Sequence, residues 1–286
     1  MKITLSQYAG FCDGVKRAYE MVSVLNMARA KKPVMILGSL VHNPEVNQKI
    51  AKKGITRIDR DYFFKAKPGE IGTLIITAHG TGPDVYMEAK RKKIKLIDVT
   101  CPKVVKVQRL AKVFSGRGYK IVIIGDKGHK EVLGICDWSG KNALIVSNNS
   151  DLKRIRFSPK EKIAVLSQTT QNEEFFRQAA EIIKKKCPLT EILFTTCHTT
   201  HQRQKEIKKL AEGNNPVVVI GSMASANSKR LFEIAREVNP RTYFIENVEG
   251  LNKRWFSGAK KVAVSAGAST PSWIIEEIMG YLGKIN

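Results

Sequence analysis

Three cysteines are spaced as a repeat. Cys12, Cys101 and Cys197 lie 89 and 96 residues apart. Each ends an apolar or β-branched segment and opens a stretch with helical periodicity. Val15, Ala18, Tyr19 and Val22 follow Cys12 at helical spacing, and Pro102, suited to a first helical position, follows Cys101. Thr199 and Thr200 follow Cys197 and are expected to cap a charged helix. Thiolate is the metal-binding form of cysteine, and a helix N-terminus favours it. A structural zinc site usually recruits four ligands, often as close Cys-x-x-Cys pairs, and the chain has no such pair. Three thiolates instead leave one iron of a [4Fe–4S] cluster without a protein ligand and open to a substrate. Taken singly, each cysteine reads as a buried structural thiol. The shared register separates these three from Cys136 and Cys187, which fall outside it and read as structural.

Two polar stations accompany each cysteine. Gly38, Gly125 and Gly221 directly follow apolar runs, and four residues later stand His42, His129 and Ser225. These lie 30, 28 and 28 residues beyond their cysteines, while His79, Thr169 and Ser269 lie 67, 68 and 72 beyond. A single histidine reads equally well as a core or loop residue. At equivalent stations beside serine and threonine, the three histidines read as hydrogen-bond donors around an anionic ligand. Glu131, two residues past His129, is either a proton donor whose pKa burial has raised or a surface or capping glutamate. The small, polar segment 221–228 lets N–H groups, hydroxyls and a helix dipole approach a phosphate, although it lacks the Gly-Lys-Ser/Thr ending of a Walker loop. His198 and His201 have no counterparts in the other repeats and stay unassigned.

These stations need strand ends to stand on. Short β-branched runs alternate with amphipathic stretches, which predicts an α/β protein with mostly parallel sheets. Residues 34–37, 74–77, 121–124, 163–166, 217–220 and 262–264 read as buried strands. Helices are expected near 14–31, 102–115, 172–186, 202–212 and 228–237. Length alone suggests about two domains at roughly 150 residues each. The repeat argues for three pseudo-symmetric α/β lobes, over residues 1–96, 97–192 and 193–286. In open parallel sheets ligands bind beyond the carboxyl ends of the strands, so three thiols and six polar side chains are expected to face a common centre.

Composition narrows the remaining classes. No apolar run approaches the ~20 residues of a membrane span, and Met1-Lys2-Ile3-Thr4 is unlike an export leader, so a soluble, cytoplasmic protein without a membrane partner is expected. Five cysteines in such a setting do not suggest a disulfide framework. The net charge of +23 attracts anionic partners of every kind. Runs such as Lys90-Arg91-Lys92-Lys93 and Lys184-Lys185-Lys186 read as solvated helix faces. A nucleic-acid binder with a structural metal would interleave aromatics with basic clusters. Aromatics are 7% of the chain and are not interleaved, so no nucleic-acid partner is expected.

An ordered set of motifs carries a resemblance. Gly10-Phe11-Cys12-Asp13-Gly14-Val15, Val41-His42-Asn43-Pro44, Ala78-His79-Gly80, Thr100-Cys101-Pro102, Gly128-His129-Lys130-Glu131-Val132 and Gln168-Thr169-Thr170 resemble the 4-hydroxy-3-methylbut-2-enyl diphosphate reductase family, also called IspH or LytB. Cys197 with Arg203-Gln204, and Ala266-Gly267-Ala268-Ser269-Thr270-Pro271, extend the likeness to nearly the whole chain. The resemblance implies a trefoil of three α/β lobes around a central [4Fe–4S] cluster, one per chain, held by Cys12, Cys101 and Cys197. It implies reductive removal of an allylic hydroxyl as water, the last step of the non-mevalonate isoprenoid pathway, yielding isopentenyl and dimethylallyl diphosphate. Glu131 and Thr169 are then the proton relay, and His42, His79, His129, Thr169, Ser225, Asn227 and Ser269 the substrate-binding residues. Ferredoxin or flavodoxin, typically acidic, is the implied electron donor. The chain departs from the family pattern at Ala226, where a second serine is usual, at Lys130 in place of a frequent proline, and at His198 in place of an aromatic. Quinolinate synthase, also three-lobed with three cluster thiols, matches these motifs less well.

Overall fold

Strands buried on both faces are mainly apolar, and six segments of the chain carry such runs. The computed structural model describes residues 1–285. Among them the strands are β1 (Lys2–Leu5), β2 (Val34–Leu37), β3 (Thr56–Ile58), β4 (Thr73–Ile76), β5 (Lys95–Asp98), β6 (Lys120–Ile124), β7 (Ala143–Val146), β8 (Ile163–Ser167), β9 (Thr190–Ile192), β10 (Val217–Ile220), β11 (Thr242–Ile245) and β12 (Lys261–Ala266). The helices are α1 (Asp13–Ser23), α2 (Pro44–Ala51), α3 (Arg60–Lys65), α4 (Pro83–Arg91), α5 (Pro102–Gly116), α6 (Lys130–Trp138), α7 (Asn149–Arg154), α8 (Glu173–Lys186), α9 (His198–Gly213), α10 (Ala226–Val238) and α11 (Ser272–Leu282).

The strands form three parallel four-stranded sheets, ordered β3-β2-β4-β5, β7-β6-β8-β9 and β11-β10-β12-β1. The architecture is therefore three α/β lobes of one topology. The six sequence-predicted strands are the two central strands of each sheet. The edge strands escape apolar pattern-reading because they are less buried and more polar: β5 reads exposed, intermediate, intermediate, exposed. β1 pairs with β12, with Lys2–Leu5 in register with Lys261–Val264, and so takes the slot held by β5 and β9 elsewhere. Sequence thirds and sheets are thus offset by one strand.

By density of contact the chain forms two units. One comprises Met1–Lys16, His42–Val46 and the chain from His198 onward; it holds the sheet of β10, β11, β12 and β1. The other, Arg17–Val41 with Asn47–Cys197, holds the remaining two sheets.

Side-chain alternation along each central strand feeds two cores. In the second unit, Val122, Ile124, Ile163 and Val165 pack with Phe176, Ala179 and Ile183 of α8. Their neighbours Ile121, Ile123, Ala164 and Leu166 pack with Val107 and Ala111 of α5 and Val132 and Ile135 of α6. The first unit repeats this, with Val218, Ile220, Val262 and Val264 on α11 and Val217, Val219 and Ala263 on α9 and α10.

Two expectations are corrected. The helix expected near 14–31 stops at Ser23, because the Asn26 side chain accepts the N–H groups of Ala28 and Arg29 at 3.0 and 3.3 Å and turns the chain. The helix after Cys197 begins at His198, so Thr199 and Thr200 lie inside its first turn and do not cap it. Phe176 is wholly buried between β-branched strand residues. Phe176→Ala should lower stability by about 3–5 kcal/mol, and Val24→Ala, at an 80% exposed position, by less than about 0.5 kcal/mol; denaturant unfolding of the two variants checks the contrast.

Candidate active site

Each of the three register cysteines follows the edge strand of its sheet and is tied down through its own backbone. In the second unit, Cys101 N–H donates to the Ala78 carbonyl at 3.0 Å and Cys197 N–H to the Thr169 carbonyl at 2.9 Å. In the first unit, Cys12 N–H donates to the Ala268 carbonyl at 3.3 Å. Each acceptor belongs to the loop leaving the neighbouring central strand. All three thiols are half-buried, and no disulfide forms among the described residues. Cys187 differs: it is fully buried in the core beside α8, with its thiol on the Ser158 carbonyl at 3.2 Å.

Each thiol thus stands half-buried at a strand end beside a helix start, accessible to a ligand at that edge of its sheet. Cys101 is itself the N-cap of α5, with Pro102 at the first helical position. The donor set, three such cysteines and no Cys-x-x-Cys pair, fits an iron–sulfur cluster better than a closed zinc site.

In the second unit Glu131 sits in the first turn of α6 with only 3% of its surface exposed, which removes the surface-residue alternative. Its carboxyl oxygens accept the Thr169 N–H at 2.6 Å and the Thr169 hydroxyl at 2.9 Å. Burial pushes its pKa up to about 7, against the two Thr169 bonds, which pull it down. His129 caps the same helix, its Nδ1 accepting the Glu131 N–H at 3.2 Å. Burial also lowers the His129 pKa, so that its ring favours the neutral form. The rings of His79 and His129 meet edge-on, with centroids 5.6 Å apart.

In the first unit Ser225 caps α10 by accepting the Ser228 N–H at 3.3 Å. Asn227 is 4% exposed and its Nδ2 has no hydrogen-bond partner in the structure. The Ser269 hydroxyl donates to the His42 carbonyl at 3.2 Å. Ala226 is the first residue of α10, so the position offers an N–H but no hydroxyl. Close approach here demands glycine at 267, because a Cβ would collide with the side chain of Ser228.

Two residues quoted only within motifs prove to organise these loops. Arg203, buried in α9, donates to the Ala266 carbonyl at 3.0 Å and to the Gly10 carbonyl at 2.7 Å, joining the end of β12 to the turn before Cys12. Gln168 accepts the Asp126 N–H at 2.9 Å and donates to the Thr170 hydroxyl at 2.8 Å, fixing the loops that present His129 and Thr169. Neither role is legible locally; the one signal is an arginine at the helical spacing of Ile207 and Ala211 on the buried face of α9.

Three parallel sheets of one topology, each with a register cysteine after one of its edge strands and polar side chains after its central strands, define a three-sheet α/β protein. A family model described as LytB protein matches residues 3–283, and the chain belongs to that family. Curated relatives named 4-hydroxy-3-methylbut-2-enyl diphosphate reductase include that of Pelobacter propionicus, 37% identical over 100% of this chain and 99% of the relative. That of Aquifex aeolicus is 35% identical over 99% and 96%. The solved E-1-hydroxy-2-methyl-but-2-enyl-4-diphosphate reductase of Plasmodium falciparum superposes with a TM-score of 0.88 at 29% identity, over 99% of this chain and 87% of that one. A second solved reductase, described as the terminal enzyme of the non-mevalonate pathway, gives 0.70 at 34% identity over 100% of both chains. No helix among the described residues is long and apolar enough to cross a membrane.

A carboxyl whose pKa rises on folding holds its proton more tightly in the folded chain. Its contribution to stability is therefore lost as pH climbs from about 4.5 to about 7 and is level outside that window. Glu131→Gln should remove this slope, leaving the variant more stable than the parent at pH 8 than at pH 4.5 by up to about 3 kcal/mol; thermal or denaturant melts of both proteins across that range measure it.

Proposed function

We propose that this chain is a 4-hydroxy-3-methylbut-2-enyl diphosphate reductase, converting the (E)-allylic diphosphate into isopentenyl and dimethylallyl diphosphate. What carries the reading is the full-length relationship to enzymes of that name, joined to three strand-end cysteines held by the same backbone hydrogen bond. Cys12, Cys101 and Cys197 are the residues that would hold one [4Fe–4S] cluster. When bound, such a cluster supplies electrons one at a time and an iron without a protein ligand that serves as Lewis acid.

The chain's own groups account for binding and proton movement. The substrate's diphosphate is assigned to His42, His79, His129, Thr169, Ser225, Asn227 and Ser269, a set of N–H and O–H donors drawn from strand-end loops. Glu131 is the proton donor: with a pKa near 7 it keeps a proton available at neutral pH, where an ordinary glutamate would have lost it. Thr169, bonded to it through both N–H and hydroxyl, fixes the carboxyl's orientation and extends the relay toward the substrate. Two electrons and two protons are consumed; one proton leaves with the hydroxyl as water and the other ends on carbon, its position deciding which product forms. The electrons are assigned to a ferredoxin or flavodoxin.

Anaerobic purification, with assay of iron, sulfide and the visible spectrum, should give a brown protein of about four irons per chain that turns over the allylic diphosphate with a reduced dye. Cys12→Ser should lose both properties. A colourless protein carrying zinc would sink the reading. Glu131→Gln should keep the cluster spectrum and substrate affinity while lowering kcat by about 10²–10⁴, and the parent's rate should fall as pH rises through about 7; a pH-rate profile unchanged by the substitution would remove Glu131 from the relay.

A further inference from the structure

Helix α5 starts at Cys101 and presents two unlike faces. Val104, Val107, Gln108 and Ala111 are buried, Val107 and Ala111 against the sheet. On the opposite side Val105, Lys106, Arg109, Leu110 and Val113 recur at the i, i+3, i+4 spacing of a single stripe. This stripe floors an open concavity of about 510 Å³ in the second unit, and Val113 is 45% exposed there. Arg17 and Thr100 form a wall, and they are joined: the Arg17 guanidinium donates to the Thr100 carbonyl at 3.3 Å, the peptide group that leads into Cys101.

The charges in this concavity are unbalanced. Lys106 and Arg109 enter no ion pair among the described residues, and Arg17 bonds only to a backbone carbonyl. The single acid of the wall, Asp98, is already engaged by the Tyr86 hydroxyl at 2.8 Å and the Thr100 N–H at 2.9 Å. Three cations around an apolar floor suit a protein surface that is acidic at its rim and apolar at its centre. A small free anion would find no polar floor, and a nucleic acid no aromatic on which to stack.

We propose that this face of α5 is the docking surface for an acidic one-electron carrier protein, seated so that its reduced prosthetic group faces the Cys101 end of the helix. The inference rests on the reductase reading above, in which Cys101 is a cluster ligand. Each docking event oxidises the carrier by one electron and reduces the enzyme by one. Two events supply the two electrons that, with two protons, release the substrate's hydroxyl as water.

Binding is the first readout, because it does not depend on turnover. An acidic plant-type ferredoxin is titrated anaerobically, in its oxidised form, against the intact enzyme, the Lys106→Glu/Arg109→Glu variant and a Lys184→Glu/Lys185→Glu control. The control makes the same charge change in the last turn of α8. The expected result is a Kd raised about tenfold or more by the α5 pair and by less than about twofold in the control, with affinity of the unsubstituted enzyme falling as salt is added. Turnover with a reduced viologen should be the same in all three proteins, while turnover with reduced ferredoxin follows the Kd. Equal binding by parent and α5 variant, or equal weakening by the control, overturns the proposal. Absence of viologen-driven turnover in the unsubstituted enzyme overturns the reductase reading, and this surface with it. Should the α5 variant alone lose viologen turnover, the milder Lys106→Gln/Arg109→Gln pair carries the same comparison, with a threefold rise in Kd expected and no rise overturning it.

Discussion

The parallel pairing of the strands is the constraint from which the rest follows. In a parallel sheet every strand points its carboxyl end to the same edge, so whatever follows one strand lies beside whatever follows its neighbour. The hydrogen bonds from Cys101 N–H to Ala78, from Cys197 N–H to Thr169 and from Cys12 N–H to Ala268 are that adjacency made specific. The partners are 23 and 28 residues apart in the first two cases and nearly the length of the chain in the third. One rule of pairing thus reproduces one local geometry at three places, even though the third requires the first strand of the chain to complete the last sheet.

That closure explains which parts of the fold were legible in sequence. β2, β4, β6, β8, β10 and β12 are covered on both faces and so carry apolar runs of three or four residues, with polar residues such as Thr73 and Ser167 only toward their ends. β1, β3, β5, β7, β9 and β11 each lie at a sheet edge, where most positions are only partly buried or exposed and the apolar signal is diluted. Spacing alone groups each cysteine with the stations that follow it. Sheet membership groups it with the stations of the preceding repeat, because the edge strand before the cysteine belongs there. No local pattern carries that information, since it depends on which strands pair over a long separation. The early end of α1 has a local cause, the side chain of Asn26, which periodicity does not register.

Within the site, residue type and register were sufficient to single out Glu131 but not to choose between its two roles. Burial removes the surface alternative, and that burial comes from the packing of α6 against the loop after β8. The same environment decides the balance of forces on its proton: desolvation favours the neutral acid, the two Thr169 bonds favour the carboxylate, and desolvation wins. His129 carries a further duty, as helix cap, that its register position did not suggest. Arg203 and Gln168 were hidden because each acts by joining loops far apart in sequence, and a side chain that bonds to backbone carbonyls leaves no motif around itself.

The distribution of charge separates two recognition tasks that a net value of +23 would otherwise merge. Most of the groups assigned to the diphosphate are hydroxyls and an amide, which carry no charge. In the first unit Ser225, Asn227 and Ser269 offer hydroxyls and an amide beside the N-terminus of α10; in the second, burial keeps the His129 ring toward its neutral form. An anion met by dipoles and a helix N-terminus needs no buried counter-charge, whose desolvation would cost several kcal/mol per ion. It also leaves the raised pKa of Glu131 intact, because a buried cation nearby would pull that carboxyl back toward ionisation. Lys106 and Arg109 of α5 stand exposed outside these loops, where they can act on the approach of a charged protein.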